Sequence, residues 1–392
     1  MFLIRIFMCG WANFTKLCTS CLIVALALVT GRFATAQTAD HSAAASFEQQ
    51  GKYAEAAEVW RQLTRQNPRD AAAFASLGVD LSRQAKYSEA AAAYRTALAL
   101  NPSLLGTSLN LGLAEFKQGR FAAAIPPLKA ACRQNASSAQ ARALLAMSYY
   151  GAGRFAEAIR DLEPLVRSDP ENTELRQVLA QSCLQAKNYS CAEKQFRKIL
   201  KQNPNSAAAY MLTGEALDGL QRTPEAIAEF QAAAKASPDE PNVHFGLGYL
   251  YWKSHQYDEA EREFQRQLAL DPNHAQALAY LGDIEMKRSD WNDAISLLRK
   301  AVATNDKIRL AYLDLGAILM EQKHYEEAAT VLQRAVKLDG AQPDAHYRLA
   351  RVFQAMGKTA DAQKEFAEVR ELHRKADEPL SSKISSVPPP PQ

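Results

Sequence analysis

The residues able to ligate a metal, attack a carbonyl or carry a proton are thinly spread along these 392 residues. Seven histidines are scattered between His41 and His373. His244 and His346 occupy the same place in a repeating pattern described below, where a core residue is expected. His255 and His324 fall in turns. A metal centre needs several ligands converging on one point, so no metal site is expected. The chain contains no H-E-x-x-H, G-x-S-x-G or G-x-x-x-x-G-K-[ST] pattern. Gly246-x-Gly248 lies inside a helical stretch rather than after a strand, which excludes a dinucleotide loop. No catalytic residue, cofactor or small-molecule substrate is therefore expected.

Six cysteines are present, and three of them, Cys9, Cys18 and Cys21, lie near the N-terminus. Cys132, Cys183 and Cys191 remain, too few for a disulfide scaffold. Cys183 and Cys191 flank one turn. A bridge there would close a loop of about eight residues and could contribute roughly 2.5 kcal/mol. Cys191, however, immediately precedes Ala192, which should face the partner helix. Consecutive helical residues diverge by about 100°, so the expectation is two unbridged small residues.

Residues 1–36 differ from the rest. They carry Arg5, Lys16 and Arg32 and no acidic residue, then an apolar run from Leu22 to Val29, then Ala34-Thr35-Ala36. That order is the secretory signal pattern with an A-x-A cleavage site. The apolar run is short of the roughly 20 residues that span a bilayer. The expectation is export, to a periplasmic or extracellular location, with the mature chain starting at Gln37. The alternative is an uncleaved anchor, the only route to membrane contact. Cys18 and Cys21 precede the apolar run, where a lipidated cysteine would follow it. Without residues 1–36, basic and acidic residues balance. A nucleic-acid binder would show a basic excess or stripe, so nucleic acid is not an expected partner. Hydrophobic residues at 47% and charged residues at 23% exclude a disordered polymer over most of the length. The last residues, 377–392, end in four prolines and Gln392 and are expected to be a disordered tail.

Between these ends lies a beat of 34 residues. Alanine stands at every thirty-fourth place from Ala56 to Ala362. Twelve residues before each is Gly or Ala, as at Gly78, Gly248 and Gly316. Four residues after each is a large apolar residue, as at Tyr94, Phe264 and Leu332. Pro68, Pro102, Pro170, Pro204, Pro238 and Pro272 keep the same beat. Each unit reads as two helices joined by a short turn. Small residues on the facing sides let the backbones approach closely. The large residue, one turn past the alanine, is expected to fill the space between hairpins. Proline ends the second helix. A single hairpin cannot bury its apolar face alone, so neighbours must stack. Asp40 and His41 make the first helix polar, and it is expected to fray or to act as a cap. Pro126, Pro127 and Pro164 fall inside second helices and are expected to kink or shorten them.

This pattern resembles the tetratricopeptide repeat, whose signature runs Leu-Gly, Ala, Phe, Pro. Leu77-Gly78, Ala90, Tyr94 and Pro102 match it in one unit; Leu247-Gly248, Tyr251, Ala260, Phe264 and Pro272 match it in another. The resemblance covers residues 37–376, ten units of 34. It implies an all-α fold, a right-handed superhelical α-solenoid of antiparallel helix-turn-helix repeats whose first helices line a concave groove. It also implies protein or peptide partners.

The groove positions are then the fifth, ninth and twelfth places of each unit. They hold Phe245, Tyr249 and Trp252 in the seventh unit, Phe116, Met147 and Tyr150 earlier, and Met286, Met320 and Tyr347 later. Aromatic and Met side chains are common interface anchors. Such residues also serve as packing between neighbouring first helices, and that reading stays open for each one. The fifth places hold no Lys and the ninth places no Asn, which argues against the carboxylate clamp of some relatives. Three functions compete: a non-enzymatic scaffold or chaperone of the cell envelope, a recruiting or regulatory subunit of a separate enzyme, and an architectural protein that self-associates.

Overall fold

A computed structural model describes residues 34–377. The expected leader, residues 1–36, and the expected tail, residues 377–392, lie outside the described residues except at their inner edges. The chain divides between Leu144 and Leu145 into two compact units. The first unit contains α1 (Ala34–Gln49), α2 (Tyr53–Gln66), α3 (Ala71–Arg83), α4 (Tyr87–Leu100), α5 (Thr107–Lys117) and α6 (Phe121–Gln134). The division falls within α7 (Ala139–Gly151). The second unit continues with α8 (Phe155–Ser168), α9 (Thr173–Gln185), α10 (Tyr189–Gln202), α11 (Ala207–Gly219), α12 (Thr223–Ala236), α13 (Val243–Lys253) and α14 (Tyr257–Leu270). It closes with α15 (Ala275–Lys287), α16 (Trp291–Thr304), α17 (Arg309–Glu321), α18 (Tyr325–Leu338), α19 (Pro343–Ala355) and α20 (Thr359–Asp377). Among the described residues there is no strand. None of these helices is long and apolar enough to cross a membrane.

Both units are built the same way. Within each unit, away from α7 at the division, each even-numbered helix packs on the odd-numbered helix before it and, where one follows, on the one after it. In the second unit α13 also touches α15, α15 touches α17 and α17 touches α19. The odd helices therefore have two kinds of neighbour, and their remaining face is the one that can form a lining.

The turn inside each hairpin has a backbone cause. Gly51, Ala85, Gly119, Gly153, Lys187, Gln221, His255, Ser289, Lys323 and Gly357 recur every 34 residues, all with φ between 57° and 75°. A left-handed residue just past a helix end redirects the chain and lets later N–H groups bond the last carbonyls. Lys86 N–H reaches Leu81 O at 2.9 Å, and His324 N–H reaches Leu319 O at 2.8 Å. The other turn, after each second helix, begins with Asn, Asp or Ser. The side chains of Asn101, Asn135, Asp271 and Asn305 accept from the N–H two residues on, at 3.0–3.1 Å. Such short polar side chains mimic a backbone turn.

The seam of each hairpin is tighter than the columns suggested. A Cβ on Gly316 would lie 2.4 Å from Leu332 Cγ, and one on Gly248 would lie 2.8 Å from the Phe264 ring. The large residue thus lies directly over the glycine of its own hairpin, in addition to reaching the next one. Phe230 does both, against Gly214 and Gly246. The alanine column lets the backbones close up until Ala226 O and Ala294 O also bear on the glycines opposite.

Three sequence expectations need correction. First, of the two expectations for α1, to fray or to act as a cap, fraying does not hold over its described side chains: Ala44 is fully buried, His41 packs edge-on to Trp60 at 5.1 Å, and Trp60 Nε1 donates to Glu48 at 3.0 Å. Burial against α2 outweighs the polar composition. Second, of the kink or shortening expected at the internal prolines, the shortening does not occur. α6 and α8 each keep 14 residues, the length of the other second helices such as α4 and α18. Pro126 and Pro164 are exposed, so the carbonyls they leave without a partner can meet water. Third, Cys183 and Cys191 are bridged, with Cα atoms 5.7 Å apart.

Candidate functional site

The nine expected groove residues do not form one set. Phe116, on α5 of the first unit, is buried, and its ring lies edge-on to Phe121 at 5.3 Å. It serves its own hairpin. Met147 and Tyr150 are half-buried on α7. Tyr150 donates its hydroxyl to Gln181 on α9 at 3.1 Å, and burial raises its pKa.

Phe245, Tyr249 and Trp252 do come together, on one face of α13, and all three are half-buried. The residue that gathers them is Tyr280 on α15, which the sequence reading did not single out. Its ring lies 6.0 Å from Phe245, 5.7 Å from Tyr249 and 4.9 Å from Trp252. Phe245 also packs on His274 at 4.8 Å and on Phe264 at 5.9 Å. His274 Nδ1 accepts from Ala277 N–H at 3.1 Å, while its Nε2 lies 3.0 Å from Asn242 Oδ1. Burial lowers the His274 pKa, in keeping with a neutral ring that caps α15. These aromatics therefore do two things. One side of the cluster packs α13 on α15; the other side is open.

Below the aromatics sits Asp283, almost wholly buried. Trp252 Nε1 donates to one of its oxygens at 2.6 Å and Lys287 Nζ to the other at 2.6 Å. Asp314, on α17, is buried as well, and its Oδ2 has no hydrogen-bond partner. Burial, and then the nearby Asp283, push its pKa up to about 7. Burial also raises Tyr280, to about 12.

Next along α15 comes Met286. With Met320 of α17 and Tyr347 of α19 it lines an open cleft of about 440 Å³, whose lining also includes Trp291, Arg348 and Arg351. Tyr347 is 47% exposed, unusual for so large an apolar surface. The structure thus places three of the expected anchors in one cleft and three in the adjoining cluster. Tyr280, Asp314 and Arg348 stand at the sixth place of three successive units. That place is one residue, or about 100°, from the fifth-place column, and a change from apolar to polar along it was the available signal.

His244 and His346 are core residues, as their register implies. Their Nδ1 atoms lie 2.7 Å from Glu263 and 2.6 Å from Glu365, on the second helix of the same hairpin. Among the described residues no three His, Cys, Asp or Glu side chains form a group able to hold a metal. The arrangement offers apolar anchors and fixed charges, which suit holding a ligand.

Comparison with known proteins bears on what such a groove belongs to. Sequence models described as tetratricopeptide repeat match residues 41–79, 76–139 and 149–216, and one described as TPR repeat matches 219–254. The model of the cilia and flagella-associated protein 70 middle TPR-like domain matches residues 251–373. No curated protein matches the chain. Among solved structures, a chain of the APC/C hetero-tetramer Cut9-Hcn1 is similar at 15% identity, over 88% of this chain and 82% of that one, with a TM-score of 0.51. Yeast Tom70 is similar at 16% identity over 89% and 99%, with a TM-score of 0.39. YrrB, described as a TPR protein with an unusual peptide-binding site, is similar at 19% identity over 49% of this chain and 98% of that one, with a TM-score of 0.37. The repeat matches run from residue 41 to residue 373 over helical hairpins of one design, and the chain is a tetratricopeptide-repeat protein.

Proposed function

We propose that this chain is a non-enzymatic scaffold or chaperone that holds segments of other proteins against the first helices of its later repeats. The observation that carries this reading is the cleft of Met286, Met320 and Tyr347, whose helix α15 also carries Tyr280 of the Phe245, Tyr249 and Trp252 cluster. Three helices each present an adaptable or aromatic side chain to one open space. Apolar side chains of a partner could be buried there, and anchors of this kind often cost about 2 kcal/mol or more when truncated.

A photo-crosslinking amino acid at position 320 or 347 tests this in intact cells. Adducts with other proteins are expected from these positions and not from Lys300 or Glu327 on second helices. Equal yields from both faces would move the binding surface elsewhere. Trp252 is a poor choice for such a test, because it also holds buried Asp283.

We further propose that the protein works outside the cytoplasm. The basic, then apolar, then small-residue order of residues 1–36 supports this, as does the Cys183–Cys191 bridge, since disulfides persist in oxidising compartments. N-terminal sequencing of the protein from the extracytoplasmic fraction is expected to begin at Gln37. An intact leader there would mean an anchored protein, and absence from that fraction would end the proposal.

A further inference from the structure

The cleft lining is uneven in charge, and the unevenness says what kind of segment fits. Met286, Met320, Tyr347 and Trp291 supply apolar surface. Arg348 and Arg351 stand three residues apart on α19, and both line the cleft. Neighbouring cations are already answered. Lys287 holds Asp283 at 2.6 Å, and Arg309 donates from two nitrogens to the two carboxylate oxygens of Asp344. The two arginines of α19 are not. Arg348 reaches the carbonyl of Leu313 at 3.4 Å and Arg351 the hydroxyl of Tyr347 at 3.5 Å. Both contacts are at the long limit, and both acceptors are uncharged. Among the described residues neither guanidinium forms an ion pair.

The acids nearby do not cancel this charge. Asp344 also lines the cleft and lies in the field of Arg348, but both of its oxygens are taken by Arg309. Asp314 lies buried close to Arg348, but burial and Asp283 push its carboxyl up to about 7, against the opposing pull of Arg348, so it carries only part of a charge near neutral pH. Glu321 lines the cleft at the end of α17 and is exposed. With Asp344 neutralised by Arg309, Glu321 stands against both Arg348 and Arg351 and leaves one positive charge in excess. A guanidinium is a planar fork that takes a carboxylate through two parallel hydrogen bonds, stronger than bonds between neutral groups.

We infer that the cleft between α15, α17 and α19 takes an acidic internal segment of another protein, with Met, Leu or Phe side chains set among Asp and Glu. The apolar side chain would enter between Met286, Met320 and Tyr347, and the carboxylates would meet Arg348 and Arg351. A basic segment would set like charges against each other, and a neutral one would leave both guanidiniums without a charged partner. This deepens the groove reading and rests on it.

Selection from a random twelve-residue phage-displayed library on the full chain tests the inference. The insert is internal to the coat protein, so no free peptide C-terminus takes part. Enrichment of Asp and Glu beside Met, Leu or Phe is expected on the parent protein and should be lost on Arg348→Gln/Arg351→Gln. A selected sequence, made as an N-acetylated and C-amidated peptide, should bind the double variant at least about tenfold more weakly. Its affinity for the parent should also fall as NaCl is raised from 0.05 to about 0.5 M, where exposed charges are screened. Circular dichroism and melting of the variant confirm that it folds. Apolar sequences without acidic enrichment, but crosslinked to positions 320 or 347, would overturn the charge inference and leave the groove reading intact. No binders, or binders crosslinked only to second helices, would overturn both.

Discussion

Gly316→Val is expected to destabilise the last repeats by about 3 kcal/mol or more, one of the larger effects a single substitution can have here. Leu332 lies fully buried over Gly316, and even a Cβ would come within 2.4 Å of its Cγ. Gly316→Ala should cost much less, about 1 kcal/mol. Ala180 and Ala350 hold the same place opposite Phe196 and Phe366, so a shifted large residue can accept one methyl. Valine adds two more carbons against a β-branched restriction and cannot be accepted the same way. Leu332→Ala in the same chain should recover part of the loss, giving a non-additive cycle. Because repeats couple mainly to their neighbours, amide exchange should accelerate first in α17 and α18 and spread outward. Uniform acceleration across the second unit would mean one indivisible core. Ala226→Trp and Ala260→Trp crowd the opposite side of the same seam and should show the same locality at the sixth and seventh repeats.

The seams were legible in the sequence because they are steric. Gly or Ala, then Ala, then a large residue, at fixed offsets, has one physical meaning whatever surrounds it. Helix ends were legible where proline or glycine marked them, and hidden where Lys187, Gln221 or Lys323 takes the left-handed turn with no compositional mark. The cysteine pair shows how an angular argument fails. Facing Ala192 on an ideal helix, Cys191 points away from α9. Yet it is the third residue of α10, and near the turn the two backbones are close whichever way each side chain starts. Fully buried Cys183, near the end of α9, is then within bridging distance. The lining of the cleft was partly legible for a related reason. Counting places put Met286, Met320 and Tyr347 on successive helices, and the structure joins them. Counting could not show that Phe116 is spent on Phe121 or that Trp252 is fastened to Asp283. Those are contacts between residues 5 and 31 apart, decided by packing.

The buried acids give the remaining large prediction, and it concerns pH. Asp80, in the first unit, and Asp314, in the second, are both pushed up from near 4 to about 7. Burial is the main cause in each; the Glu48 carboxylate adds to it at Asp80, and Asp283 adds to it at Asp314. In the unfolded chain both titrate near the ordinary aspartate value. Between about pH 4 and 7 the folded protein therefore holds protons that the unfolded chain has lost. The stability these two sites contribute is largest at the acid end of that window and falls as pH rises through 7. Above 7 both are ionised, and the Oδ2 of Asp314 then carries charge without a hydrogen-bond partner. A tenfold change in proton affinity is worth about 1.4 kcal/mol, and relaxation of a buried site returns part of it. Asp314→Asn should thus leave melting nearly unchanged only at about pH 4 and below, and its stabilisation of the second unit should grow from there to about 1–3 kcal/mol at pH 8. Asp80→Asn should do the same for the first unit. Subtracting each variant's melting curve from the parent's, pH by pH, removes every other titrating group from the comparison. A difference that stays flat from pH 5 to 8 would show that these carboxyls titrate normally, and a difference of opposite sign would show that their ionised forms are the stabilised ones.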